Sequence, residues 1–438
     1  MPMPFPVSRR AFAAVVSCLF LLASPSAQLA RGQDAAGFSK EKLDSITGLL
    51  KKAVADRKMA GGSALIARQG RIVYHETAGL QDGDSKIADR TIFRIASMSK
   101  PITSVAVMIL VDDGKLATTD PLSKFVPEFK DMKVLVPDKD GKSHTTVAAE
   151  REITIHDLLT HSSGITYRLM NKPIIGKLYA DAGVVDGLSE APGTVGDTVR
   201  KLARLPLVCQ PGSAWEYGLN TDVLGHVVEV VSGKTLEEFC RERIFDPLRM
   251  EDTWFVLPKE KRSRLAGLYS VGMDKTLSPV GNKPVDQPGG PVFTATYPTN
   301  DGSKYFSGGA GLVSTAGDYF RFCQMMLNRG ELDGARVLKA ETVERMTKNQ
   351  LGELRIGFPG ADVMGYGFGV LSEKSKQATK DPAGVGTHGW GGAFGTFFWI
   401  DPKNELVGVF MTQVFPPDFT MAQEFKRLTY EALSPAKN

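Results

Sequence analysis

Cysteine is scarce here, and the few present are scattered. Cys18 lies in an N-terminal apolar run; Cys209, Cys240 and Cys323 are far apart and odd in number. Their spacing excludes a C-x-x-C metal knuckle and offers no disulfide framework, so these three read as small buried hydrophobes. Charge imbalance is equally slight. The formal net charge is +4 and no dense Lys/Arg block follows residue 30, so nucleic acid is not an expected partner. Long apolar runs are confined to residues 11–23, so no membrane-spanning segment is expected after them. Two histidines, His156 and His161, stand five apart, whereas a zinc-binding helix wants i, i+4 with a glutamate. The run Gly308-Gly309-Ala310-Gly311 lacks the strand–G-x-G-x-x-G–helix setting of a nucleotide site and reads as a structural turn. Neither a metal nor a cofactor is therefore expected.

What is present is ordinary globular material. The 438 residues are 42% hydrophobic and 23% charged, enough for one large domain with an insertion or for two domains. The start differs from the rest. "SRRAFAAVVSCLFLLASPSA" sets a basic pair, Arg9-Arg10, before an apolar stretch and then small residues. This is a signal-peptide layout over residues 1–27, exported by a Sec or a twin-arginine route to the periplasm or the medium. Val15-Val16-Ser17-Cys18 resembles a lipoprotein box, but it sits inside the apolar run instead of at its end.

Beyond it, "SKEKLDSITGLLKKAVADR" spaces Leu43, Ile46, Leu49, Leu50 and Val54 as a helix with Ser39 as N-cap. "SALIARQGRIVYHETAG" reads as two strands around Gln69-Gly70. From Leu116 to about Asn300 short helices alternate with Pro/Gly-rich loops, and "DKDGKSHT" reads as a hairpin tip. "TDVLGHVVEVVSG" and "TLEEFCRERIF" are helical, the latter with a Thr235/Glu238 capping box. After residue 306 a helix, three strand-like runs and a closing helix return. The pattern predicts an α/β sheet domain assembled from residues 38–115 and 301–438, with a mostly helical, loop-rich insertion at 116–300.

S-x-x-K occurs three times, at Ser39/Lys42, Ser97/Lys100 and Ser434/Lys437. Only the middle one precedes a buried helix. Residues i and i+3 share a helix face, so Lys100 can point back at the Ser97 hydroxyl. Pro101 is tolerated in a first turn, and "ITSVAVMILV" is apolar on nearly every side. Burial disfavours a charged lysine, and a neutral lysine can accept a serine proton. On these residues alone, a Ser N-cap followed by a snorkelling lysine is an equal reading.

The surrounding residues form an ordered series. "FRIASMSK", "LLTHSSGI", "PGSAWEYGLNTDVLGHVVEVVSGKTLEEF" with "IFDPLRMEDTWF", "SGGAGLVSTAGDYFRFCQMML" and "HGWGGAFGTFFWIDP" follow one another from about residue 40 to the end. Together they resemble the serine β-lactamase-like family, which includes class C β-lactamases, D-alanyl-D-alanine carboxypeptidases and family VIII carboxylesterases. The resemblance implies a β-lactamase/transpeptidase-like fold with an antiparallel sheet flanked by helices. It also implies an acyl-enzyme on Ser97, with Lys100 and Tyr217 taking and returning the serine proton and the N–H groups of Ser97 and Ala393 forming the oxyanion hole.

Two places depart from the lactamase pattern. The second motif is Y-x-N there, but Tyr217-Gly218-Leu219 has leucine in third place and Asn220 follows. The third motif is K-T-G there, but His388-Gly389-Trp390 or Trp390-Gly391-Gly392 stands here without a lysine. A cationic lysine suits a substrate carboxylate, and its loss turns the expectation towards esters. The "YxxxxDVLG" run and the W-G-G replacement are similar to family VIII esterases. His388, Trp390, Gly391, Gly392 and Leu219 are thus the expected substrate-binding residues, and a small acyl compound, ester or β-lactam, is the expected substrate. The alternatives are a β-lactamase, a D-alanyl-D-alanine carboxypeptidase, or a penicillin- or muropeptide-binding protein without turnover. Without the resemblance, Tyr217 is one of ten tyrosines and Trp390 a core filler at a tight strand crossing.

Overall fold

The periodic apolar residues of the first segment form helix α1, Lys40–Ala55, which buries Leu43, Ile46, Leu50 and Ala53. Ser39 caps it by accepting from the Lys42 N–H. The next two runs are strands β1, Gly61–Arg68, and β2, Arg71–Asp82. They turn at Gln69 and Gly70, both at positive φ, as a two-residue hairpin requires. These elements come from a computed structural model that describes residues 37–433 except 142, 169, 171, 287–291 and 357–360. The expected signal segment and the Ser434/Lys437 pair lie outside the described residues.

The elements that complete the frame are strand β3, Ser85–Lys86, and helices α2, Ser99–Asp112, and α3, Ile155–Leu159. Helices α4, Asn220–Ser232, and α5, Ala316–Leu327, follow. Then come strands β4, Val363–Met364, β5, Gly369–Val370, β6, His388–Gly391, β7, Phe397–Asp401, and β8, Leu406–Thr412, and helix α6, Phe419–Ala432. One eight-stranded sheet runs β4-β5-β6-β7-β8-β1-β2-β3, with every neighbouring pair antiparallel. The fold is α/β, and its sheet joins the two ends of the chain. Leu65 on β1 faces Val409 on β8 and His75 on β2. At the margin the Ser39 N–H donates to Ala432 O at 2.8 Å.

Strand β1 is buried nearly throughout, which explains its continuous apolar text. Alternate residues point to opposite faces. Ala64 and Ile66 join Trp399, Phe410 and Phe425 under α1 and α6. Leu65 and Ala67 join Phe398, Val407 and Val409, and that cluster continues through α2 to Leu158, Val199 and Val227 of the middle segment. Every residue of α2 from Ser99 to Leu110 is buried, as its all-round apolar pattern requires.

The middle of the chain also holds strands where the sequence pattern suggests only helices and loops. "DKDGKSHT" does join a hairpin, Lys133–Pro137 with His144–Ala148. A second hairpin, Tyr269–Val271 with Leu277–Pro279, is less legible because Val414–Phe415 pairs parallel to it from far along the chain. Cys240 and Cys323 are buried and Cys209 half-buried, all three as free thiols. No helix among the described residues is long and apolar enough to cross a membrane.

Candidate active site

Ser97 owes its position to a strained turn. Phe93–Arg94 pairs with Val313–Ser314, and the Ile95 N–H donates to Leu312 O at 3.0 Å. The chain then reverses at Ala96, which has φ 43° although it is not glycine. Such a residue costs on the order of 1–2 kcal/mol and persists only where packing enforces it. Ala96 is fully buried in a cluster with Phe394 and Phe293. A single 3-10 turn, Ala96–Met98, follows and runs into α2 at Ser99. Ser97 therefore sits at the mouth of a buried helix, where first-turn N–H groups lack intrahelical partners and the dipole favours negative charge.

Lys100 is 1% exposed and spends its donors on three oxygens. Its Nζ lies 3.1 Å from Ser97 Oγ, 3.0 Å from Tyr167 Oη and 2.8 Å from Gly309 O. Tyr217 Oη donates to Ser97 Oγ at 2.9 Å, and the Lys100 Nζ stands 4.7 Å from the centre of the Tyr217 ring. Trp390 Nε1–H donates to Tyr217 Oη at 3.3 Å. So Ser97, Lys100, Tyr217 and Trp390 converge, from three separate stretches of sequence. Tyr167 completes the group and was not a sequence candidate; it lies two residues past "LLTHSSGI". Burial, reinforced by Tyr217, Asp222 and Asp186, pushes its hydroxyl far above the ordinary tyrosine range, so it acts as a neutral phenol.

Behind Tyr217 lies a bracing layer. His161 is buried, at φ 57°, and its ring centre is 4.9 Å from that of Tyr217. Burial first, then the Lys100 charge, holds it well below the usual histidine range, so the imidazole is neutral. Asn220 Nδ2 donates to His161 Nδ1 at 3.0 Å and to Ile165 O at 3.1 Å, which leaves the His161 proton on Nε2. Trp215 stacks on the Tyr217 ring at 5.8 Å. Asn220 thus ties the His161–Ile165 loop to α4 and makes no bond to Ser97 or Lys100. Leu219, expected to bind substrate, is the N-cap residue of α4 and is wholly buried in the main core.

On β6, Trp390 and His388 share a face. Trp390 packs on Tyr217, with ring centres 5.7 Å apart, and on Gly369 of β5, where a Cβ would come within 3.1 Å of the indole. Gly391 pairs with Phe397. A Cβ on Gly392 would collide with Ile95 O, so the turn after β6 can approach the Ser97 turn this closely only with glycine there. Thr396 Oγ1 clamps the same carbonyl at 3.3 Å. Ala393 then packs with Ala96 and Phe394, and among the described residues its N–H donates to no backbone carbonyl.

His388 is a correction to the sequence expectation. Its ring meets Phe368 edge-on at 5.3 Å and its Nδ1–H donates to Gly386 O at 3.0 Å. It is buried, and among the described residues its ring bonds to neither Ser97, Lys100 nor Tyr217. Burial lowers its pKa from 6.5 to about 4, against the opposing effects of Gly386 and Asp401. The unfolded chain binds the proton more readily, so stability falls as pH drops from 6.5 towards 4. That amounts to about 2 kcal/mol between pH 7 and pH 5. His388→Asn should flatten the fall of melting temperature over that range; equal slopes in the two proteins would contradict this reading.

The geometry can be set beside known proteins. A family model described as Beta-lactamase matches residues 46–431. Esterase EstB of Burkholderia gladioli is 32% identical over 360 residues, covering 80% of this chain and 85% of that esterase. Lovastatin esterase of Penicillium rubens is 31% identical over 403 residues, covering 86% and 94%. Among solved structures, EstCE1, described as a hydrolase with promiscuous acyltransferase activity, superposes with TM-score 0.75 at 27% identity, covering 89% of this chain and 99% of its own.

Proposed function

The chain belongs to the beta-lactamase family, and from that premise we propose that it is a serine hydrolase that forms an acyl-enzyme on Ser97 and hydrolyses carboxylic esters. The observation that carries this reading is the convergence of Lys100 Nζ and Tyr217 Oη on Ser97 Oγ at 3.1 and 2.9 Å. In the first half-reaction Ser97 Oγ bonds to the ester carbonyl carbon while its proton passes to the Lys100/Tyr217 pair. The carbonyl oxygen gains charge opposite the N–H groups of Ser97 and Ala393. The tetrahedral species collapses, the carbon–alkoxide bond breaks, and the pair returns the proton to the leaving alkoxide. Water then attacks the acyl carbon and gives a proton to the same pair; the carbon–Oγ bond breaks, the pair returns the proton to Ser97 Oγ, and the acid departs. An alcohol in place of that water gives acyl transfer by the same steps.

Ester preference over β-lactams rests on β6. Its residues, His388-Gly389-Trp390-Gly391, supply no cation to hold a substrate carboxylate, and Trp390 offers an aromatic wall instead. The relatives named as esterases agree with that choice. Short-chain p-nitrophenyl esters should be turned over with kcat/KM at least about 100-fold above a chromogenic cephalosporin, since a missing charge partner costs several kcal/mol. A cephalosporin turned over faster than any ester would instead favour a β-lactamase or D-alanyl-D-alanine carboxypeptidase.

A further inference from the structure

Asp222 is the acid of the "YxxxxDVLG" run and lies in the first turn of α4. It is completely buried, yet among the described residues no lysine or arginine bonds to it. Its Oδ1 accepts from Ser307 Oγ at 2.5 Å, and among the described residues no other side chain bonds to the carboxylate. Ser307 opens a tight turn. The Ala310 N–H returns to Ser307 Oγ at 3.0 Å and the Gly311 N–H to Ser307 O at 2.9 Å. A Cβ on Gly309 would collide with Asp222 Oδ2 and stand 3.2 Å from Tyr167 Oη, so the carboxylate lies directly against this backbone. The carbonyl of the same residue, Gly309, accepts from Lys100 Nζ at 2.8 Å, and that of Gly308 from Thr103 Oγ1 at 2.8 Å. Gly309 thus touches both Asp222 and Lys100.

Lys100 needs such a neighbour. Its bonded partners, Ser97, Tyr167 and Gly309 O, are all neutral. A buried ammonium without a counter-charge is costly. The groups facing this pair are His161 and Tyr167 after α3, Tyr217 before α4, Asp186 in the loop ahead of Leu188, and Tyr305 before the turn. His161 is neutral, and burial pushes Tyr167 and Tyr305 far up as phenols. Burial also lifts Asp186, to about 6, and its charged neighbours are Arg168 and Asp222. Burial raises Asp222 too, while Ser307, the Lys100 charge and the Gly309 N–H draw it back.

We propose that Asp222 is a positioning residue for the serine chemistry: its carboxylate seats the Ser307–Ala310 turn against Lys100 and is the counter-charge for the ammonium formed when Lys100 holds the Ser97 proton. This deepens, and rests on, the acyl-enzyme reading of Ser97 and Lys100. The test is the pH profile of kcat/KM for a p-nitrophenyl ester, on full-length wild type, Asp222→Asn, Asp222→Glu and Ser307→Ala. Asp222→Asn should lower kcat about 10- to 100-fold with KM within about threefold. Losing the anion removes a charge that favours the protonated form of the proton-accepting pair, so the acid limb should move down by about one pH unit. Ser307→Ala keeps the charge and should leave the limb in place. A folded Asp222→Asn protein with an unmoved limb overturns the proposal, whatever its kcat. Should Asp222→Asn not fold, the equally neutral Asp222→Ser decides by the same reading, with Asp222→Glu as the charge-keeping control: a limb moved down supports the proposal and an unmoved one refutes it. Ser97→Ala is run alongside. Full activity in that variant would remove the acyl-enzyme reading itself, a failure distinct from an inert Asp222.

Discussion

Replacing Ser97 by alanine should lower ester turnover by on the order of 10⁴- to 10⁶-fold. Among the described residues the hydroxyl is the only group that Lys100 and Tyr217 both address, at 3.1 and 2.9 Å. Removing it leaves the oxyanion donors and the Trp390 wall intact, so binding should survive and the loss should fall on kcat. The Ala96 turn, held by its packing against Phe394 and Phe293, does not depend on the hydroxyl. Melting temperature should therefore change by no more than about 2 °C. Initial rates with a p-nitrophenyl ester, measured beside a thermal melt, separate the two effects. Activity within tenfold of wild type in a folded Ser97→Ala protein would exclude Ser97 as the nucleophile.

The second large effect concerns the proton pair. Lys100→Met should cost about 10³- to 10⁴-fold in kcat/KM, and Tyr217→Phe about 10²- to 10³-fold. Methionine fills the buried volume but can neither take the serine proton nor hold Gly309 O. Phenylalanine keeps the stack with Trp215 and Trp390 and deletes only the hydroxyl between Ser97 and the indole. Because both groups serve one proton, the double variant should be little worse than Lys100→Met alone. A double-mutant cycle in kcat/KM reads this directly. Fully additive losses would mean that the two residues act independently.

How much of this was legible beforehand differs residue by residue. The buried helix behind Ser97 could be read from its continuous apolar text, and Lys100 from the i, i+3 geometry. Tyr217 and Trp390 needed the ordered series of motifs, since neither has a local signature. Tyr167 was missed because its approach to Lys100 depends on the left-handed turn at His161. Leu219 was misplaced because motif spacing does not say where a helix begins, and α4 begins at Asn220. His388 shares the Trp390 face of β6, and alternation alone does not say which of the two reaches Tyr217. Asp222 was visible as a letter in a run; its place became clear only when Ser307, 85 positions later in the chain, closed on it. The sheet was readable for β1 and β2 because their hairpin is local. The hairpin at Tyr269–Pro279 was not, because its arms are only three residues each and the strand that extends it, Val414–Phe415, is remote.

The central claim is that a covalent acyl group passes through Ser97. Intact-mass measurement of the protein quenched during turnover of an activated ester, followed by peptide mapping, tests it most directly. The account predicts a transient mass increase equal to the acyl group, carried by the peptide containing Ser97. It should decay as the acid is released and be absent from Ser97→Ala. Turnover with no adduct, or an adduct mapped to another residue, would contradict it. A permanent adduct on Ser97 without product would leave the nucleophile standing and contradict hydrolysis, making the protein a binder.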